Sequence, residues 1–164
     1  MATSDRAQRD FNVDIKNMSR LAEHYEEIFS KLDFITPHEA SEKLNVSHDE
    51  IKNMIKENRI IFFKANLFTF IPVFQFEDNK INPLFSTLLD LVHDDINSER
   101  GNMQPKNLVI YTLLKSYGFY HENEFGGKSE TSLNGIEYIK HFGEEGVKRV
   151  AERLHNVVYH EMGM

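Results

Sequence analysis

The 164-residue chain has no cysteine and no tryptophan. Without cysteine it has no disulfide, no thiolate metal ligand and no thiol nucleophile, and nothing indicates an oxidising compartment. No apolar run approaches the roughly 20 residues that span a bilayer. The charged first 14 residues also lack the apolar core of a signal peptide. These absences predict a cytoplasmic protein with no membrane partner.

Positive charge is scarce as well. The chain has 19 Lys and Arg against 26 Asp and Glu, for a net charge of −7. Residues 36–76 are the least acidic part, with five residues of each sign and a net charge of zero. Because Lys and Arg supply most of the non-specific affinity for phosphates, this composition argues against a strongly DNA-binding monomer. Dimerisation would partly compensate if it brought Lys52, Lys56, Arg59 and Lys64 together on one surface.

Residues 36–58 carry the signals of two short helices joined by a tight turn. Thr36 is a good N-cap, and Pro37 suits the first helical position. Thr36 with Glu39, and then Ser47 with Glu50, each fit a capping box. The apolar residues of the second helix fall on one inward stripe, formed by Ile51, Met54 and Ile55. This pattern predicts a helix-turn-helix, whose second helix is the one that enters a major groove.

Two β-rich runs, 60–63 and 67–71, follow this helix pair around a short polar connection and predict a hairpin. The sequence therefore predicts a mainly α fold with a small β-hairpin, in which a winged helix-turn-helix precedes a helical C-terminal domain. The predicted divisions are an N-terminal amphipathic helix in 1–34, the winged module in 35–76 and a partner-binding domain in 77–164. A small α+β unit with no nucleic-acid role is the alternative for the central segment.

The N-terminal segment also has two interpretations. Apolar residues between 14 and 32 recur at intervals of three and four, as an amphipathic helix requires. Such a helix can pack on the helix-turn-helix core, and it can also mediate the homodimer that a two-fold symmetric DNA binder needs. The two roles are compatible.

If the second helix reads DNA, its exposed polar residues are the contacts. Asn53 can pair with adenine, and Lys52 or Lys56 can reach guanine or phosphate. Arg59 and Lys64, near the hairpin, are expected to contact the backbone. The full candidate set for double-stranded DNA is Ser47, His48, Lys52, Asn53, Lys56, Arg59 and Lys64. The alternative is a solvated helix face without a ligand.

A larger pattern extends behind this module. An aromatic-Gln-Phe stretch, 74–76, is followed by a helix starting after Pro83, a Gly-Gly loop at Glu124–Lys128 and a terminal amphipathic helix. This layout resembles that of antitoxins of the Xre/MbcA/ParS toxin-binding type, in particular those with an excisionase-like winged helix-turn-helix module. The resemblance covers about residues 36–154. It departs from the family after the Gly-Gly pair, where only Leu133 of a Thr-Pro-Leu element is kept.

The resemblance implies a C-terminal domain that neutralises a protein toxin, often an NAD-degrading one, in a complex that represses its own operon. It also implies a partner-binding loop formed by Phe125, Gly126, Gly127 and Lys128. On this basis the chain is expected to be a non-enzymatic, dimeric, DNA-binding regulator of transcription. The alternative is a protein-interaction factor, such as one from a phage or other mobile element, that uses the same fold without DNA.

Catalytic chemistry has little support in the sequence. His93-Asp94-Asp95 is similar to the centre of metal-dependent phosphohydrolases, but a single such doublet is common by chance. His155 and His160 are five residues apart, whereas two ligands on one helix face need a spacing of four. No phosphate loop or nucleophile elbow is present. We therefore expect no enzyme activity, no metal and no cofactor.

Overall fold

The computed structural model describes residues 22–65, 67–97 and 105–161. Within these ranges the chain forms eight α-helices and three small antiparallel sheets. The helices are α1 Ala22–Lys31, α2 Pro37–Leu44, α3 His48–Lys56, α4 Pro83–Leu91, α5 His93–Ile96, α6 Pro105–Leu114, α7 Gly135–Phe142 and α8 Glu144–Glu161. The strands are β1 Phe34–Ile35, β2 Phe63–Ala65, β3 Phe68–Pro72, β4 Phe76–Glu77, β5 Lys80–Ile81, β6 Ser116–Glu122 and β7 Lys128–Asn134.

The predicted fold class is wrong. The chain is a mixed α/β protein, with more β structure than a small hairpin followed by a helical domain. The main cause is the hairpin of β6 and β7. From the sequence alone, the apolar run before Gly118 predicts a helix that ends there, and the polar stretch 121–134 predicts a loop. The sequence of β7, Lys-Ser-Glu-Thr-Ser-Leu-Asn, has little apolar content because only alternate residues are half-buried. Its pairing with β6 therefore leaves a weak signal in the sequence.

Smaller differences concern two other segments. The sequence after Pro72 predicts that the chain continues extended through Val73–Gln75, whereas the structure has a turn of 3₁₀ helix there. The first residues of the loop expected over 94–104 belong to α5, and residues 98–104 lie outside the described part. The predicted N-terminal helix is described only from Ala22 onward, so its expected start near residue 14 also lies outside the described residues.

Local chemistry explains the helix pair. The Thr36 hydroxyl accepts a hydrogen bond from the Glu39 backbone N–H at 3.1 Å, and the Glu39 carboxylate accepts from the Thr36 N–H at 3.3 Å. This is the complete capping box that the sequence predicts. At α3 the Ser47 hydroxyl likewise accepts from the Glu50 N–H at 3.1 Å. The Glu50 carboxylate, however, accepts from the Arg59 guanidinium, so the second box is only half formed.

A three-stranded sheet of order β1–β3–β2 is built from both sides of the helix pair, with β1 before α2 and with β2 and β3 after α3. The run Ile60–Phe63 leads from α3 into β2, and its residues alternate between two hydrophobic clusters. Ile60 and Phe62 belong to a cluster with the inward residues of α2 and α3. Ile61 and Phe63 belong to the main cluster, which is built largely from α4, α6, α7 and α8. This alternation places a single stretch of chain between the two clusters.

Two buried amide side chains hold this stretch in place. The Gln75 side chain accepts from the Ile61 N–H at 2.9 Å and donates to the Ile61 carbonyl at 2.8 Å. The Asn107 side chain makes the same pair of bonds to the N–H and carbonyl of Lys64, both at 2.8 Å. Each amide thus substitutes for a neighbouring strand. On β2, which is an edge strand, Asn107 occupies backbone groups that would otherwise be open to another chain.

The C-terminal half is organised around α8, which contacts α4, α5, α6 and α7. Gly146 allows the close crossing with α7, because a Cβ there would lie 2.8 Å from the Tyr138 carbonyl oxygen. The hairpin is attached to α8 by Arg149 and Arg153, which donate to the carbonyls of Gly118 and Ser116 at 2.8 and 2.7 Å. None of the described helices has the length and apolar character needed to cross a membrane.

Candidate nucleic-acid and partner site

The candidate DNA contacts lie mostly on α3, and the way α2 and α3 fold determines their exposure. The turn between the helices is made by Asn45, which adopts a left-handed conformation with φ of 54° and ends α2. Ile51 and Met54 are then buried against α2. Lys52, Asn53 and Lys56 are consequently exposed on the opposite side of α3. These three residues form the part of the predicted site that the structure brings together, and we call them the α3 face.

Arg59 is less available to a ligand than its exposure suggests. Its Nε lies 2.7 Å from a Glu57 carboxylate oxygen, and Nη2 lies 3.3 Å from Glu50. The hydrogen bond to Glu57, supported by the charges of both carboxylates, raises the pKa of Arg59. Its positive charge is therefore balanced within the protein, and a phosphate would have to compete with two carboxylates.

Lys64 lies apart from the α3 face, on β2. Its side chain is exposed, while its backbone is held by Asn107. The hairpin turn beside it contains Asn66, which is outside the described residues, and Leu67, whose exposed fraction is 86%. Lys64 thus lies three residues before an exposed apolar side chain at the tip of the hairpin.

The two N-terminal candidates on α3 already have partners. The Ser47 hydroxyl caps the helix. The Nε2 atom of His48 lies 2.7 Å from Nδ1 of His38, which is in the first turn of α2. The Nε2 atom of His38 lies 3.0 Å from a Glu42 carboxylate oxygen. The sequence gives no sign of this contact, because nothing in a spacing of ten residues indicates that the two imidazoles meet.

The four predicted partner-binding residues lie at the turn of the β6–β7 hairpin. Asn123, which the sequence reasoning missed, organises this turn: its Oδ1 accepts from the N–H groups of Phe125 and Gly127, each at 3.0 Å. Gly126 adopts a φ of +76°, which a glycine tolerates without strain. Phe125 is 94% exposed as a result. Asn123, three residues before the Gly126-Gly127 pair, is the sequence signal that could have identified this turn.

The candidate metal motif does not form a ligand cluster. His93 contacts the side chain of Asn97, whereas Asp95 accepts from His155 Nδ1 at 2.9 Å. Across the described ranges 22–65, 67–97 and 105–161, no three His, Asp or Glu side chains converge in a way that could hold a metal ion. These contacts connect α5 to α8 and give no geometry for a metal-activated water.

Taken together, the described residues form a mixed α/β protein with a capped helix pair and three short antiparallel hairpins, of which β6–β7 has the predicted partner-binding residues at its turn. No known family profile matches the chain, and no curated protein or solved structure is significantly similar to it.

Proposed function

We propose that the protein is a non-enzymatic, cytoplasmic DNA-binding regulator that contacts double-stranded DNA through the α3 face. The observation that carries this proposal is the exposure of Lys52, Asn53 and Lys56 on the second helix of a capped pair. Asn53 offers a donor and an acceptor to a base edge, while the two lysines offer charge to phosphates or guanine. A homodimer would double this small set of cations.

The test is a gel shift with a double-stranded DNA selected from a random pool by the wild-type protein. We expect Lys52→Glu and Lys56→Glu each to abolish the shift at a salt concentration at which the wild type binds. Lys140→Glu is the matched control, because Lys140 is also exposed but lies on α7. The substitution makes the same change in net charge. Binding that survives in both α3 variants, or that is lost equally in the control, would exclude the α3 face.

The second candidate function is a protein-interaction factor that does not bind DNA, as in an adaptor from a mobile element. It is favoured by the zero net charge of residues 36–76 and by the pairing of Arg59 with Glu50 and Glu57. Both leave few free cations beside the α3 face. In this case the exposed Phe125 would be the main contact of the protein.

A protein partner belongs to both proposals, and the antitoxin resemblance suggests that it is a toxin. The turn 123–127 supports this assignment, because it presents one large apolar side chain on a hydrogen-bonded scaffold. Phe is among the residues that are enriched in the cores of protein interfaces. Affinity capture from the native host, with wild-type protein and Phe125→Ser and with and without nuclease, separates the candidates. A captured protein that remains bound after nuclease treatment but is not captured by Phe125→Ser would support the turn 123–127 as the partner-binding site. Recovery of nucleic acid alone would support the DNA-binding regulator.

A further inference from the structure

Two exposed histidines from different helices point at each other in the first turns of α2 and α3. Nδ1 of His38 and Nε2 of His48 are 2.7 Å apart, and the ring planes are nearly perpendicular, at 88°. The side chain of His38 is 61% exposed. Two protonated imidazoles would repel each other at this distance. At least one of the two nitrogens must therefore present a lone pair to the other.

Glu42 determines which nitrogen that is. An ionised carboxylate only accepts hydrogen bonds, so the contact of 3.0 Å between Glu42 and His38 Nε2 places the His38 proton on Nε2. In the neutral imidazole, Nδ1 of His38 then carries a lone pair directed at His48. A carboxylate that holds the outer N–H of an imidazole while the inner nitrogen stays free is the arrangement found around histidines that bind metals.

We propose that His38 and His48 form a two-histidine site for a divalent transition-metal ion such as Zn²⁺, bound by His38 Nδ1 and His48 Nε2. Neutral imidazole is a preferred ligand of Zn²⁺, with metal–nitrogen distances of about 2.0–2.1 Å. At a tetrahedral ion these distances place the two nitrogens about 3.3 Å apart. The rings therefore need to separate by about 0.6 Å and to turn their lone pairs off the N–N line toward the ion, which two exposed side chains can do by rotation about their torsions.

Binding of the ion at this site releases no net proton. The neutral His48 ring exchanges its Nε2 proton for one on Nδ1 through solvent, which frees the Nε2 lone pair without a net release of protons. His38 keeps its Nε2 proton on Glu42. The two remaining positions of a tetrahedral ion are open to water, so the site is exposed and exchangeable, and it differs from a buried structural zinc site with four protein ligands.

The local charge favours a cation at this point. The Glu42 carboxylate, 3.0 Å from Nε2 of His38, places a negative charge beside the proposed ion. The ion would also connect α2 to α3, so its binding should stabilise the helix pair. The inference concerns the protein without DNA and does not rest on the proposed function.

The experiment is a calorimetric titration of the DNA-free full-length protein with Zn²⁺, together with thermal unfolding in the presence and absence of Zn²⁺. We expect the wild type to show one strongest site per chain and a higher Tm with Zn²⁺. His38→Gln and His48→Gln should each lose both effects. Glu42→Gln should keep the site but bind roughly 10- to 100-fold more weakly, because it removes only the outer partner of His38.

His121→Gln is the matched control, since His121 is an exposed histidine on the β6–β7 hairpin. It should leave the strongest site and the Tm shift unchanged. The proposal is overturned if the wild type binds Zn²⁺ no better than His38→Gln does, which would mean that the two rings form a hydrogen-bonded pair only. It is also overturned if His121→Gln loses the site to the same extent as the two ligand variants.

Discussion

Gln75 is a fully buried polar residue whose side chain makes three hydrogen bonds to backbone groups, two to Ile61 and one to the Pro72 carbonyl at 3.1 Å. Replacing it with Met keeps most of the volume but leaves these buried groups unpaired. We expect Gln75→Met to lower the free energy of unfolding by about 2–4 kcal/mol. Urea unfolding followed by circular dichroism measures this loss.

Asn53→Ala provides the control for Gln75→Met, because Asn53 is an amide exposed on α3. It should change the free energy of unfolding by no more than about 0.5 kcal/mol. If Gln75→Met were as neutral as Asn53→Ala, water or a rearranged backbone would have to satisfy the groups around Ile61, and Gln75 would not be holding this stretch.

The burial of Tyr117 leads to the prediction that the protein loses stability at high pH. Its side chain is only 1% exposed, and burial raises the pKa of its phenol from 10.0 to about 12, although the nearby Arg153 and Arg149 act in the opposite direction. Because the folded-state pKa is the higher one, the neutral phenol favours folding. This contribution is complete below pH 10 and is lost as the pH rises through 12. A shift of this size corresponds to roughly 3 kcal/mol.

Tyr117→Phe tests this assignment, since phenylalanine does not titrate. We expect the wild type to lose more free energy of unfolding than Tyr117→Phe between pH 9 and pH 12, as measured by urea unfolding at each pH. The variant also lacks the hydrogen bond of 3.0 Å from the Tyr117 hydroxyl to the Thr112 carbonyl, so its stability at pH 9 is the reference for its own series. Equal losses in the two proteins would contradict the raised pKa.

At the scale of helices, the crossing of α7 and α8 depends on the absence of a side chain at Gly146. A Cβ there would lie 2.8 Å from the Tyr138 carbonyl oxygen and 2.9 Å from Ile139 Cα, and both are backbone atoms that cannot rotate away. Alanine favours a helix interior by about 1 kcal/mol over glycine. We nevertheless expect Gly146→Ala to destabilise the protein by about 1–3 kcal/mol, because the two helices must move apart.

The control for this prediction is Glu152→Ala, an exposed position on the same helix. It should be close to neutral in urea unfolding, within about 0.5 kcal/mol. A Gly146→Ala protein as stable as the wild type, or more stable, would show that α7 and α8 separate without cost and that helix propensity decides the outcome.

The capped helices and the β6–β7 hairpin differ in how well the sequence predicts them, and one reason is the range of the interactions involved. Thr36 and Ser47 cap their helices through bonds to residues three positions away, so the chemistry is visible locally. The α3 stripe is also a local pattern. The β6–β7 hairpin, by contrast, is held to α8 by Arg149 and Arg153, which are 31 and 37 residues from their acceptors. No local pattern contains that information.

The same distinction applies to the candidate site. The exposure of Lys52, Asn53 and Lys56 follows from the inward stripe of α3 and was predictable. The pairing of Arg59 with Glu50 was not, because the two residues are nine positions apart and meet only after the helix ends. The contact between His38 and His48 was not predictable either, because it joins two helices and depends on how they pack. Local patterns thus predict which residues are exposed, while the folded chain determines which of them remain available to a ligand.

At the scale of the whole molecule, the run Ile60–Phe63 makes the two hydrophobic clusters share a segment. Ile60 and Ile61 are adjacent and each is 1% exposed, but Ile60 packs with α2 and α3 whereas Ile61 packs in the main cluster. Displacing either residue must disturb the backbone that holds the other, and Gln75 reinforces this by binding both backbone groups of Ile61. We therefore expect the two clusters to unfold in a single transition.

The matched pair Ile60→Val and Ile61→Val tests this cooperativity, because each removes one methyl group from a different cluster. Each should cost about 0.5–1.5 kcal/mol. In a urea titration followed by NMR, we expect either variant to shift the midpoints of amides in α3 and in α8 by the same amount, since a shared segment transmits the loss to both clusters. If Ile60→Val shifted only the α3 amides, the α2–α3 cluster would be an independent unit, and the shared run would be a linker rather than a common core.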